Sequence, residues 1–153
     1  MSSIDEFFSG RNYGVVGTDP RQPYGRAVVE SLTTGGRQAY VVYPDAAPYA
    51  GTTRVYASLR EVPERLDGVI LNIERDPQRM LHEVQLAVEL GLPRVWIENR
   101  CEADEAVAYA LAHGVEMVDN VCPLIVLDPR HIHWFHRKAL DLFGKTPHVL
   151  RAS

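Results

Sequence analysis

Between Asn12 and Arg26 the sequence reads Asn-Tyr-Gly-Val-Val-Gly-Thr-Asp-Pro-Arg-Gln-Pro-Tyr-Gly-Arg. An apolar run, Tyr13 to Val16, breaks at Gly17 into a polar loop carrying two prolines and two arginines, and a helix opens near Tyr24. Strand, glycine turn and helix in that order aim free backbone N–H groups at an anion, so the chemistry on offer is phosphate binding. Gly17 lets the backbone turn sharply and come close to a ligand. Thr18 and Tyr24 can donate hydroxyls, and Arg21 and Arg26 can pair with phosphate oxygens in bidentate fashion. Asp19, Pro20 and Gly25 complete the loop. The plainer alternative is an ordinary strand-to-helix turn flanked by two solvated arginines. The spacing is not Gly-x-Gly-x-x-Gly, because Gly14 lies inside the strand and Gly25 falls eight residues after Gly17. No Gly-Lys-Ser/Thr occurs, so it is not a Walker loop either. A long loop stiffened by Pro20 and Pro23 can curl around a diphosphate and an adenosine.

Three other groups of residues invite a chemical reading. Asn72, Ile73 and Arg75 follow an apolar run; Asn72 could bond an adenine edge and Ile73 could cover its face, or the three could simply lead into the next helix. Glu98 follows another apolar run and could accept from a ribose, or be an exposed charge. Tyr43, Pro44 and Asp45 end a third run, and an acid there repels a ribose phosphate and suits free ribose hydroxyls. His131, His133 and His136 crowd one predicted helix start with Cys122 upstream. His133 and His136 could share a helix face and a metal, but no second ligand pair has diagnostic spacing, so a metal is not expected. Cys122 before Pro123 reads as a buried small residue with no identifiable base beside it. No catalytic residues are assigned.

The elements that must position these residues alternate. Strands are predicted at Tyr13 to Val16, Gln38 to Tyr43, Asp67 to Leu71, Arg94 to Ile97 and Val115 to Val118, with a short extended piece at Arg54 to Tyr56. Ser2 to Phe8 is a helical turn with Ile4, Phe7 and Phe8 as its apolar side. The first long helix stops at Gly35-Gly36. Ser58 caps a single turn. Asp76-Pro77, a side-chain cap before a proline, opens a helix that buries Met80, Val84 and Ala87 and stops at Gly91. A further helix runs from Glu102 to His113. Asn120 to Leu127 reads as apolar and extended, and Asp128-Pro129 opens a last helix, about Arg130 to Phe143. Trp96, in a strand buried on both faces, is core. Alternation of this kind makes a mostly parallel sheet covered on both faces, an α/β fold, with ligands at the carboxyl ends of the strands.

A chain of 153 residues, 46% apolar and 24% charged, is most simply one globular domain spanning residues 1–153, large enough to need no disulfide or metal. A net charge of −4 argues against nucleic acid. With no membrane-length apolar stretch, no signal-peptide pattern and only Cys101 and Cys122, a cytoplasmic location is expected.

Taken in order, several motifs resemble the small stand-alone CoA-binding domain family, the YccU-like proteins, which look like the CoA-binding domain of succinyl-CoA synthetase cut loose. They are Val15-Val16-Gly17-Thr18-Asp19-Pro20-Arg21, Tyr43-Pro44, Gly51, Tyr56-Ala57-Ser58-Leu59 with Val62-Pro63, Leu66-Asp67-Gly68-Val69, Gly91 with Val95-Trp96-Ile97, and Asp119-Asn120-Val121-Cys122-Pro123. His133-Trp134-Phe135-His136-Arg137 and Phe143-Gly144-Lys145 match a subgroup. The resemblance implies a Rossmann-like three-layer sandwich, a five-stranded sheet in the order 3-2-1-4-5 with an extra C-terminal helix, and CoA or an acyl-CoA across the switch point. It implies no reaction. Three loops depart from the family pattern: Asp45 stands where a basic residue is usual, Asn72-Ile73-Glu74-Arg75 where Phe-Arg is common, and Glu98-Asn99 where Gln and Gly are common. Three functions remain open: a non-catalytic module binding CoA, an NAD(H)-binding redox sensor or small NAD-dependent enzyme motivated by Asp45, and an interaction subunit of a larger acyl-CoA enzyme. In the last, the C-terminal helix with Trp134 and Phe135 would pack on a partner or form a homodimer.

Overall fold

The computed structural model describes residues 4–44, 49–50, 53–128, 138, 142 and 149–152. Its centre is strand β1 (Asn12–Val16), four of whose five residues are buried. Strand β2 (Gln38–Val42) pairs with it in parallel on one side and β5 (Gly68–Leu71) on the other. Outward from β2 lie β4 (Thr53–Tyr56), parallel, and the two-residue β3 (Tyr49–Ala50), antiparallel. Outward from β5 lie β6 (Arg94–Ile97) and β7 (Glu116–Val118), both parallel. Among the described residues seven strands run β3-β4-β2-β1-β5-β6-β7. The expected Rossmann-like class and order hold, with one parallel strand more than the five expected. The short piece around Arg54 is a full partner of β2, so it takes the third place in the order and Gly68–Leu71 becomes the fourth strand, beside β1. Its one buried residue, Val55, gave little periodic signal.

Helices α1 (Pro23–Thr34), α2 (Pro77–Glu89) and α3 (Asp104–Ala112) make the crossovers. The Asp76 carboxylate caps α2 by accepting from Arg79 N at 3.0 Å, and Ser58 caps its turn by accepting from Arg60 N. On one face of the sheet, α2 and α3 bury Met80, Val84, Ala87 and Ala106 against Leu71, Val95 and Ile97. On the other, α1 and the N-terminal 3₁₀ segment (Ile4–Ser9) bury Val28, Leu32, Phe7 and Phe8 against Val15, Tyr13 and Trp96. The Trp96 ring meets those of Phe7 and Phe8 at 5.1 and 5.2 Å. Its indole N–H donates to Val121 O at 2.7 Å, which pins the segment after β7 across the end of β6. That segment departs from expectation: Leu124–Leu127 is a short helix, α4, not extended. Pro123 holds φ at −65°, already helical, and its carbonyl accepts from Val126 and Leu127. The predicted helix of about Arg130 to Phe143 lies outside the described residues, apart from helical Lys138 and Leu142.

Residues near the C-terminus cover the open edge of β7. Met117 and Leu150 exchange backbone hydrogen bonds, and Arg94 and Arg151 both pair with Glu116. Among the described residues no helix is long and apolar enough to cross a membrane.

Asp67 fixes the entry to β1 by accepting from the backbone N–H of Arg11 and Asn12 at 2.7 and 2.9 Å. These bonds hold its carboxyl below the usual range. Its stabilising contribution is therefore present above the ordinary carboxylate range and lost as pH falls through the depressed value. Asp67→Asn is expected to cost about 1–2 kcal/mol at pH 7 and less at pH 3, read from urea denaturation.

Candidate functional site

The three central strands end together at the turn. Gly17 takes φ +82°, and its N–H donates to Val42 O at 3.1 Å; Asn72 N donates to Val16 O at 2.9 Å. The Gly17 amide therefore closes the sheet ladder. A Cβ there would lie 2.2 Å from Asn72 O, so glycine is demanded by packing as well as by φ. The donors that remain for a ligand lie further on. The N-cap Gln22 makes no side-chain cap on α1, whose first residue is Pro23, leaving the amides of Tyr24 and Gly25 without an intrahelical acceptor. Thr18 is 5% exposed and its Oγ1 has no hydrogen-bond partner among the described residues. Gly25 lets loop and helix meet: a Cβ there would lie 2.2 Å from Asp19 O and 2.9 Å from Thr18 Cγ2.

The arginines are placed differently from a phosphate clamp. Arg21 forms a two-pronged pair with Asp19, Nε to Oδ1 at 2.9 Å and Nη2 to Oδ2 at 2.8 Å, and holds the Asp19 carboxyl below its usual range. Arg26 is exposed and donates to Arg21 O at 3.3 Å.

Beside the first turn of α1 opens a cavity of about 330 Å³, lined by Tyr24, Asn72, Glu74, Glu98, Asn99, Arg100, Cys122 and Ile125. Glu98 is 2% exposed, and its Oε1 has no hydrogen-bond partner among the described residues. Burial pushes its carboxyl up to about 7; the Tyr24 hydroxyl works against this and Glu74 adds to it. Burial likewise raises the Tyr24 phenol, with Glu98 reinforcing it. The Tyr24 hydroxyl lies 3.7 Å from Cys122 Sγ. Burial raises the Cys122 thiol, away from the thiolate a nucleophile needs.

Residues 11–128, which contain the turn and every residue of this cavity, match the family model described as "CoA binding domain". The chain belongs to the CoA binding domain family. Its fold is also that of solved structures. Prb, described as a protein redesigned for binding, is 22% identical with a TM-score of 0.71, over 86% of this chain and 98% of that one. A conserved hypothetical protein from Pyrococcus furiosus is 24% identical with a TM-score of 0.66, over 76% and 98%. The dinucleotide-forming acetyl-coenzyme A synthetase 1 of Ca. Korarchaeum cryptofilum is 18% identical with a TM-score of 0.59; there the likeness covers 76% of this chain and 27% of the synthetase. At these identities the likeness establishes the fold. No curated protein matches the sequence significantly.

Within this CoA binding domain the expected residues do not all gather in one place. Thr18, Asp19, Pro20, Tyr24 and Gly25 surround the turn, and Tyr24, Asn72 and Glu98 line the adjoining cavity. Glu98, read as a ribose acceptor or an exposed charge, is buried. Ile73 is buried in the core beneath Gly17, which leaves little of it to cover a base. Arg75, exposed at φ +57°, Tyr43 and Pro44 sit at strand ends outside the cavity lining. Asp45, the three clustered histidines and the Trp134-Phe135 pair lie outside the described residues. Sequence reasoning did not pick out Glu74, Asn99, Arg100 or Ile125 as site residues. Asn99 and Arg100 were detectable as the residues just past β6, at the carboxyl edge of the sheet. The residues present fit a diphosphate at the turn: an uncapped helix start, an unpartnered hydroxyl and a glycine in close contact converge there.

Proposed function

We propose that this chain binds CoA or an acyl-CoA as a small non-catalytic module. The diphosphate would take the amides of Tyr24 and Gly25 and the Thr18 hydroxyl, with the rest of the molecule lying along the carboxyl edge of the sheet. The observation that carries the reading is Thr18 Oγ1, a buried hydroxyl with no partner among the described residues, beside an uncapped helix start. An unsatisfied buried polar atom calls for a ligand or an ordered water. Family membership over residues 11–128 favours CoA as that ligand. When bound, CoA supplies a thiol that carries acyl groups. The raised Cys122 thiol speaks against that residue as a nucleophile.

Isothermal titration with CoA, acetyl-CoA, NAD and ADP tests the proposal. Binding of CoA in preference to NAD is expected, and mass spectrometry of ligand released from freshly purified protein should find CoA or an acyl-CoA. Preference for NAD would hand the site to the dinucleotide alternative. Thr18→Val keeps the shape and removes the hydroxyl; it is expected to weaken CoA binding about tenfold, the worth of one hydrogen bond to a charged group.

A further inference from the structure

The phosphate turn does not account for Glu98. Its carboxyl sits at the end of β6, hydrogen-bonded by the Tyr24 hydroxyl but with Oε1 left without a partner among the described residues, in a cavity that Tyr24 joins to the first turn of α1. Such a group, almost wholly removed from water, stores an unmet hydrogen bond until something enters the cavity. The charged and titratable groups around it come from four places. Glu74 faces it from the loop after β5, Tyr24 from α1 and Cys122 from the segment after β7, while Arg100 and Cys101 follow it in its own loop. Arg100 is exposed at the rim, so it does not take the place of a buried counter-charge.

We propose that Glu98 serves as an uncharged carboxylic acid that donates its O–H to an amide carbonyl of the ligand's neutral arm inside this cavity, and that its ionisation loosens that arm. The proposal rests on the reading of the turn as a CoA site and names what holds the uncharged part of the same ligand. A carboxylic acid has an O–H to donate to an amide carbonyl, and the N–H of a trans secondary amide points away from that carbonyl and takes no part in the contact. A carboxylate has acceptors only and opposes the amide carbonyl. Ionisation would also add a second negative charge next to Glu74 in a site already holding phosphates. Burial independently favours the neutral form, raising the carboxyl to about 7.

The experiment compares two probes with the same phosphates in the same esterified form: CoA, and 3′-phosphoadenosine 5′-diphosphate capped as the methyl ester of its β-phosphate, which lacks the arm and, like CoA, carries no titrating proton on the diphosphate. Their affinities are measured by titration calorimetry between pH 5.5 and 8.5, on wild type and Glu98→Gln. Titration of the shared phosphates cancels in the ratio of the two affinities. In wild type that ratio is expected to favour CoA at low pH and to fall toward about tenfold per pH unit above pH 7, until the arm contributes nothing. In Glu98→Gln, where the amide side chain cannot ionise, the ratio should stay flat and high. A wild-type ratio that does not change with pH overturns the role of Glu98 while leaving the CoA site standing. Failure of both probes to bind at any pH overturns the reading of the turn, and this inference with it. The wild-type profile decides the matter by itself if the variant does not fold.

Discussion

Glu98→Gln, a change at a buried position, is expected to stabilise the protein by about 3 kcal/mol at pH 8 and to change it little at pH 5. The sign follows from the direction of the shift. Burial pushes the folded carboxyl up to about 7, against 4.5 for an ordinary glutamate side chain. Below the lower value both states hold the proton and the group contributes nothing against folding. Between the two, the unfolded chain gives up its proton and the folded chain keeps it, so stability falls by about 1.4 kcal/mol per pH unit. Above pH 7 the folded carboxyl ionises as well, and the loss levels off. Glutamine has the same shape and no charge to desolvate, so its profile should be flat across this window. The measurement is urea denaturation of wild type and variant from pH 4.5 to 8.5. Parallel profiles would mean that water reaches Glu98 and that its carboxyl is not strained by burial. Added CoA should restore part of the wild-type deficit below pH 7 and less above it, because a ligand that favours the neutral acid stabilises that form by mass action.

How much of this could be read from the chain alone depends on how local each feature is. The strand-turn-helix at Gly17 and the Asp76-Pro77 helix start are written in adjacent residues. So is the burial of Trp96, which follows from its place in an apolar run of a parallel sheet. All three stand as expected. Thr53–Tyr56 carries only one buried residue and was legible as an extended piece, not as the strand that extends the sheet beyond β2. The cavity was legible least. Tyr24, Asn72, Glu98 and Cys122 come from four separate segments, and only the register of β1, β5 and β6 brings their carboxyl ends together. Arg21 shows the converse limit. Its type and position suit a phosphate, but Asp19, two residues earlier, offers a closer partner. A choice between two partners for one guanidinium is settled by geometry that composition does not encode. Glu98 combines both lessons, because an acid at a strand end reads as exposed until the segment pinned by Trp96 closes over it.

Gly17→Ala is expected to destabilise the fold on the order of 3 kcal/mol or more, and to abolish ligand binding in whatever remains folded. Two costs add. At φ +82° an alanine sits in the left-handed region, which costs an L-residue about 1–2 kcal/mol. Its Cβ would also lie 2.2 Å from Asn72 O and 3.1 Å from Asn72 C, both backbone atoms that no rotamer change can move aside. Relief requires β1 and the start of the β5 loop to separate. The Asn72 to Val16 and Gly17 to Val42 hydrogen bonds would stretch as they did so. Gly36→Ala isolates the first cost, since Gly36 has nearly the same φ, +80°, with nothing within 4 Å of the added carbon. That variant should lose only about 1–2 kcal/mol and keep full CoA affinity. The difference between the two variants in urea denaturation measures the close approach itself. If they are equally destabilised, Gly17 is required only for its turn, and the tight junction of β1 with Asn72 has no part in holding the Thr18 hydroxyl and the start of α1 in place.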